Sequence, residues 1–201
     1  MPDRLVADPD GIERAAEVLR SGELVAFPTD TVYGIGCRAG DATALARIFS
    51  AKRRNPEKAV AWLIASTEAI AEAGFSLDER ARKLSERFWP GALTLVLPAT
   101  DGPATQAFRV PAHEVALALL AATGPLAVSS ANRSGEPETL DADDVAIAFA
   151  DGEEPSAILD GGRVPGGVAS SVLDLSGPQP RLLREGAVSR AEIEGVIGPI
   201  D

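Results

Sequence analysis

Short apolar runs alternate with stretches of helical spacing along almost the whole chain, and this exchange constrains the fold more than any other feature. Leu24-Val25-Ala26-Phe27 and Leu93 to Leu97 are too short for helices and are bounded by proline or glycine, so they read as strands. Between such runs, Ile12, Ala15, Ala16 and Leu19 follow a helical period behind Asp10, with Ser21-Gly22 as the stop. Leu45, Ile48 and Phe49 do the same behind Asp41, in a helix that breaks before Pro56. Further strands are expected at Ala59–Ile64, Phe108–Val110, Leu126–Val128, Ala157–Leu159, Ser171–Asp174 and Arg181–Leu183. Further helices are expected over 67–73, 78–88, 112–122 and 141–150 and from Ser189. Such an order buries its apolar faces by layering helices on a sheet, which makes the chain an α/β (mixed α+β) domain. With 201 residues and no repeat, low-complexity run or linker, a single domain over 1–201 is expected.

Composition removes several functions. There are 19 Lys and Arg against 30 Asp and Glu, a net charge of −11, and 4% aromatic residues. Broad electrostatic attachment to nucleic acid or to an anionic membrane is therefore disfavoured, and an anionic ligand needs a local basic pocket. No apolar run approaches the ~18 residues of a membrane span, and Met1-Pro2-Asp3-Arg4 does not open a signal peptide, so a soluble, cytoplasmic protein is expected. One cysteine, Cys37, and one histidine, His113, exclude an intrachain disulfide and a standard zinc site. Any metal must be held by oxygens, and Cys37, between small residues, reads as a buried, inert thiol.

The familiar catalytic motifs are missing. There is no Walker A, G-x-S-x-G or H-E-x-x-H sequence, and the segment Gly34 to Gly40 misses the dinucleotide fingerprint by one residue. His113, at an expected helix start, reads as a cap or packed group rather than a base. Lys52, Arg53, Arg54 and Lys58 place four cations within seven residues at a helix end. They either complement the helix dipole or gather a phosphate through an ammonium and a forked guanidinium. Ser129-Ser130-Ala131-Asn132 follows a short buried strand, where ligands of α/β sheets bind, or else forms an ordinary turn. Arg109, on a strand beside Pro111, calls for a carboxylate from the protein or from an amino-acid substrate. The polar segment Thr29 to Gly34 reads as a functional loop or strand edge. On a strand only one of Thr29 and Thr31 would face a ligand, because alternate positions point to opposite sides.

Taken in order, Pro28-Thr29-Asp30-Thr31-Val32-Tyr33-Gly34, Lys52-x-Arg54, Trp89-Pro90-Gly91-x-Leu93-Thr94, Arg109-x-Pro111, Ser130-Ala131-Asn132-x-Ser134-Gly135 and Arg184-x-Gly186 resemble the YrdC domain of threonylcarbamoyl-AMP synthases. The resemblance runs from about residue 10 to 195 and is to the short, single-domain form. It implies a three-layer fold around a twisted mixed sheet with a basic concave cavity. It also implies a reaction in which L-threonine, bicarbonate or CO2 and ATP give L-threonylcarbamoyladenylate and pyrophosphate. The product serves N6-threonylcarbamoyladenosine formation at position 37 of tRNAs reading ANN codons, through a separate threonylcarbamoyl transferase complex. By the same resemblance Lys52, Arg54, Ser130 and Asn132 form the catalytic tetrad. Arg54, Lys58, Thr105, Ser130, Glu138 and Arg184 contact ATP, and Thr31, Arg109, Val128 and Ser170 contact threonine. Mg2+ enters on the ATP phosphates with no protein side-chain cage, and direct tRNA binding is expected to be weak despite the family's association with double-stranded RNA.

Departures from the family pattern fall at Ala59-Val60, Ala92, Glu185 and Ser171, and at Leu63, where some members place a histidine near threonine. They leave the tetrad intact and put the strength of threonine selection in question. Two other functions fit parts of the pattern. One is a relative that makes carbamoyladenylate from carbamoyl phosphate. The other is a non-catalytic RNA-binding or ribosome-associated protein, against which the charge and the few aromatics weigh.

Overall fold

The computed structural model describes residues 1–53, 55, 59–166 and 168–201. Among these, ten strands and seven helices follow in the order β1 (Asp3–Val6), α1 (Pro9–Arg20), β2 (Val25–Phe27), β3 (Gly34–Arg38), α2 (Ala42–Lys52), β4 (Ala61–Leu63), α3 (Glu68–Glu72), α4 (Glu79–Phe88), β5 (Leu93–Pro98), β6 (Thr105–Arg109), α5 (Glu114–Thr123), β7 (Leu126–Ser130), α6 (Ala142–Phe149), β8 (Ala157–Asp160), β9 (Ser171–Asp174), β10 (Arg181–Arg184) and α7 (Arg190–Ile197). The strands form one sheet in the order β1-β8-β2-β3-β7-β4-β6-β5-β9-β10. Pairing is parallel in β1/β8, β2/β8, β4/β6 and β5/β9 and antiparallel elsewhere, the mixed sheet that the resemblance implies.

Local chemistry sets the helix ends. Asp41, Asp78, Asp141 and Ser189 each accept a hydrogen bond from a backbone N–H in the first turn of α2, α4, α6 and α7, satisfying donors that the helix leaves open. The cap of α1 is Asp8 and not Asp10. Its Oδ1 accepts from Gly11 N at 2.8 Å, while Pro9 occupies the first position and Asp10 sits in the first turn.

Strand periodicity then divides the apolar residues between the two faces. Tyr33, Ile35 and Cys37, with Leu24 and Ala26, meet α2 and α6 on one face. Farther along the sheet, Leu93, Leu95, Leu97, Phe108 and Leu173 meet α3, α4 and α7 on that same face. The opposite face is covered by α1 and α5 over Leu5, Val25, Phe27, Leu63, Leu126 and Leu159. These are the three layers. On the second face the helical cover extends from β1 to Leu63 of β4, and the stretch of sheet from β4 to β10 lines a cavity.

Several elements differ from expectation. β1 lies at the sheet edge with three exposed residues of four, so it lacks the apolar alternation that marks a strand. β3 carries the near-miss dinucleotide fingerprint, and that segment is a strand in the middle of the sheet. Its glycines let Val128 of β7 lie close: a Cβ on Gly34 would stand 2.6 Å from Val128 Cγ1. Ser129 and Ser130 belong to β7 rather than to the loop, β6 begins at Thr105, and β4 is confined to Ala61–Leu63. His113 holds the N-cap position of α5 without a side-chain capping bond.

Candidate functional site

The cavity has a volume of about 280 Å3 and is floored by one side of the strands. Ala61 and Leu63 of β4, Thr94 and Val96 of β5, Ala107 and Arg109 of β6 and Val128 and Ser130 of β7 line it, each pair two residues apart. The intervening residues Trp62, Leu95 and Phe108, and Ala127 just before Val128, are packed in the core behind, while Ser129 also reaches the cavity. Cavity and core are thus opposite sides of the same strands.

Arg109 forms one wall. It is 6% exposed, and its Nη2 donates to Asp30 Oδ1 at 2.6 Å, its Nη1 to Thr31 Oγ1 at 3.2 Å and its Nε to the Gly91 carbonyl at 2.9 Å. Burial lowers the guanidinium pKa, the Asp30 carboxylate opposes that shift, and the nearby Arg184 charge adds to it. The carboxylate that this strand arginine calls for is supplied by the protein, with guanidinium donors to spare. Gly91 presents its carbonyl from the turn after the cis Trp89–Pro90 bond, where a Cβ would meet Phe88 O at 2.3 Å.

Thr29 and Thr31 both line the cavity, because the segment that carries them is a turn and not a strand. Thr29 Oγ1 donates to Val32 O at 2.7 Å, accepts from the N–H groups of Thr31 and Val32, and lies 3.0 Å from Thr31 Oγ1.

A second station surrounds Ser130. Lys52 is 3% exposed, and its ammonium donates to the carbonyls of Ser130 and Asn132 and, at 3.3 Å, to Asn132 Oδ1. An ammonium only donates, so this contact fixes Asn132 Oδ1 as the oxygen, and Asn132 Nδ2 donates to Glu136 O at 2.7 Å. Ser130 Oγ donates to Asn132 Oδ1 at 2.6 Å, which leaves its lone pairs for the cavity. Lys52 and Asn132 therefore lie behind the wall and hold it, while Ser130 lines it. Arg54 and Lys58 lie outside the described residues.

The third station is at β9 and β10. Arg184 donates from Nε to Ser170 O at 3.0 Å and from Nη2 to Ser170 Oγ at 3.2 Å, and Ser170 Oγ lies 2.9 Å from Thr94 Oγ1. A Cβ on Gly186 would stand 2.1 Å from Ala169 O, so glycine there lets the chain after β10 cross the start of β9. Val128 and Glu138 also line the cavity. Thr105 does not. It shares the face of Ala107 and Arg109 but stands exposed at the far end of β6, about 13 Å of strand from Arg109.

Sequence reasoning thus reaches Thr31, Arg109, Val128, Ser130, Glu138, Ser170 and Arg184 in one cavity. It misses Asp30 and Thr94, although both stand inside quoted motifs. The described lining carries Arg109 and Arg184 against Glu138, with Asp30 paired to Arg109, so its charge is mixed rather than uniformly basic. No group of three or more His, Cys, Asp or Glu able to hold a metal occurs among the described residues. Among them, too, no helix is long and apolar enough to cross a membrane.

The Sua5/YciO/YrdC family, described as "Telomere recombination", matches residues 17–186. The threonylcarbamoyl-AMP synthase of Pyrococcus abyssi is 46% identical over 198 residues, which cover 94% of this chain and 58% of that protein. The one from Chromohalobacter salexigens is 37% identical over 177 residues, 83% of this chain and 93% of that protein. The crystal structure of P. abyssi Sua5 complexed with L-threonine superposes with a TM-score of 0.89 at 41% identity, covering 100% of this chain and 62% of that one. The chain thus spans about three fifths of the Pyrococcus protein. With the motifs in order, the fold shared and most of its length matched, the chain belongs to the Sua5/YciO/YrdC family.

Proposed function

We propose that this chain makes L-threonylcarbamoyladenylate from L-threonine, bicarbonate or CO2 and ATP, releasing pyrophosphate. The observation that carries this reading is the buried Arg109 facing Thr31 in the same cavity as Val128, Ser130 and Ser170. The Pyrococcus structure, solved with L-threonine, and the activity named for the relatives support it.

Arg109 has N–H donors beyond those given to Asp30, Thr31 and Gly91, and a carboxylate placed there accepts them. Asp30 and Gly91 keep the guanidinium from turning, so substrate meets a preorganised donor set. The amine of the bound amino acid, in its neutral form, attacks CO2: an N–C bond forms as one C=O π pair moves onto oxygen, and the amine proton passes to solvent, giving a carbamate. A carbamate oxygen then attacks the α-phosphorus in line, an O–P bond forms, and the bond to pyrophosphate breaks. Positioning and charge neutralisation supply the rate, so the lack of a histidine or cysteine nucleophile is no obstacle. Ser130, its hydrogen committed to Asn132, offers lone pairs to a substrate N–H or O–H.

Arg184 at the rim, with Arg54 and Lys58 of the Lys52-to-Lys58 segment, is assigned to the phosphates. Lys52 and Asn132 act by holding Ser130, and Thr105 keeps its assignment to ATP only if the nucleotide extends along β6. Mg2+ arrives on ATP. Glu138 is the one carboxylate of the described lining, so phosphate and water oxygens hold the ion, which supplies charge neutralisation on the leaving pyrophosphate. In the cytoplasm the product passes to a transferase complex that modifies tRNA. Leu63 pairs with Arg109 across β4 and β6 and lines the cavity, so selection of threonine over serine rests on a methyl group worth ~1–3 kcal/mol.

The test is pyrophosphate release from ATP and Mg2+, with L-threonine and bicarbonate omitted in turn and the product mass checked. Lys52→Ala would remove a buried cross-link as well as a charge, so Ser130→Ala is the sharper variant. Release that needs both co-substrates and falls about 10- to 1,000-fold in Ser130→Ala upholds the reading. Release that ignores L-threonine, or ATP binding without release, overturns it.

A further inference from the structure

One hydroxyl hydrogen in the cavity wall has no acceptor among the described residues. Thr94 and Ser170 are 3% and 6% exposed, and their hydroxyl oxygens lie 2.9 Å apart. A guanidinium only donates, so Arg184 Nη2 gives its hydrogen to Ser170 Oγ, 3.2 Å away. If Ser170 donates to Thr94, the Thr94 O–H is left over. If Thr94 donates to Ser170, which then accepts twice, the Ser170 O–H is left over. Either arrangement yields one spare donor, and among the described residues neither hydroxyl makes any further bond. Folded proteins seldom leave a buried donor unmatched, and both residues line the cavity.

We infer that Thr94 and Ser170 form, with Arg184, a hydrogen-donating station for an anionic oxygen of the substrate, which adds Thr94 to the binding residues. The station offers a spare hydroxyl hydrogen beside a positive guanidinium, and although either arrangement also leaves hydroxyl lone pairs, that pairing of donor and charge favours an anionic oxygen. The Arg184 charge is also felt at Arg109, so the space between the two arginines favours an anion from both sides. The inference rests on the adenylate-forming reading, which brings two such oxygens into the cavity: the amino-acid carboxylate and the α-phosphoryl group of the nucleotide. The station recognises the chemistry they share.

The decisive pair of variants is Thr94→Val, which keeps the shape and removes the hydroxyl, and Thr94→Ser, which keeps the hydroxyl and removes a methyl. Each is shown to be folded by its thermal melt, then titrated calorimetrically with L-threonine alone and with Mg2+ and α,β-methylene-ATP alone. Thr94→Val is expected to weaken one ligand about tenfold or more, while Thr94→Ser stays within about threefold of the parent. Loss confined to L-threonine assigns the station to the carboxylate, and loss confined to the analogue assigns it to the phosphoryl group. Parent-like binding of both ligands by Thr94→Val overturns the inference, as does a Thr94→Ser variant as weak as Thr94→Val, which would mark a packing role. If the parent binds neither ligand, the adenylate reading falls, yet the station is still decided by acetate and inorganic phosphate, followed at the Thr94 methyl signal by NMR. A shift that vanishes in Ser170→Ala upholds the station, and no shift with either anion removes it.

Discussion

The two faces of the sheet are made by the same strands under different rules. On the fully covered face β4, β5 and β6 present Trp62, Leu95 and Phe108. Trp62 and Phe108 meet edge to face, with ring centroids 5.8 Å apart and planes at 85°, and Phe75 joins Phe108 at 5.2 Å. One residue along each strand, the other face presents Leu63, Thr94 and Arg109. The first face maximises buried apolar area, and the second spends its positions on donors, acceptors and small side chains. Apolar packing and ligand binding are therefore separable by side-chain parity, except where a cavity side chain such as Arg109 also holds a buried partner.

The sharpest break of this comparison is Phe108→Ala against Val96→Ala. Phe108 is fully buried in the aromatic cluster, and its truncation is expected to cost about 3–5 kcal/mol in urea unfolding. Val96, half-buried in the cavity wall, should cost about 1 kcal/mol or less. Equal losses would mean that the cavity face carries core packing after all.

Next in size is Arg109→Met, which leaves Asp30 largely buried without its partner and is expected to cost about 3 kcal/mol. Adding Asp30→Asn should restore most of the stability without restoring L-threonine binding, measured by unfolding and by calorimetry on the same samples. If the double variant regained binding, Arg109 would hold the wall and not the substrate.

How much of this was legible in the sequence follows the same division. Helices with acidic caps and regular apolar spacing were legible because their signal is local. β3 was not, since its glycines answer to Val128, almost a hundred residues away, and resemble a phosphate loop. Lys52 could be placed at a helix end, but the direction of its ammonium depends on carbonyls of Ser130 and Asn132 that only the folded chain brings near. Asp30 was quoted within a motif, yet its role appears only when β6 brings Arg109 beside it. Thr94 stayed hidden for a related reason: a threonine in a strand is ordinary, and its spare hydrogen emerges only when every partner can be counted.

The smallest effect concerns Tyr33, which ties the cavity segment to the covered face. Thr29, Thr31 and Val32 line the cavity, while the Tyr33 ring is buried in the opposite core. Its hydroxyl donates to Gly162 O at 2.8 Å and accepts from Gly161 N at 3.2 Å. Burial pushes the phenol pKa up from 10.0 to about 12, the backbone N–H of Gly161 partly opposing the shift. The folded state thus holds the phenolic proton more tightly than the unfolded chain does. That contribution is fully present below pH 10 and is lost as the pH rises to about 12. Tyr33→Phe is expected to lose about 1 kcal/mol at neutral pH through its two hydrogen bonds. Between pH 10 and 12 the parent should then lose stability more steeply than the variant, narrowing their difference. Parallel unfolding curves over that range would show that the phenol is not held neutral by the core, and that the cavity segment is fastened by Thr29, Arg109 and the backbone instead.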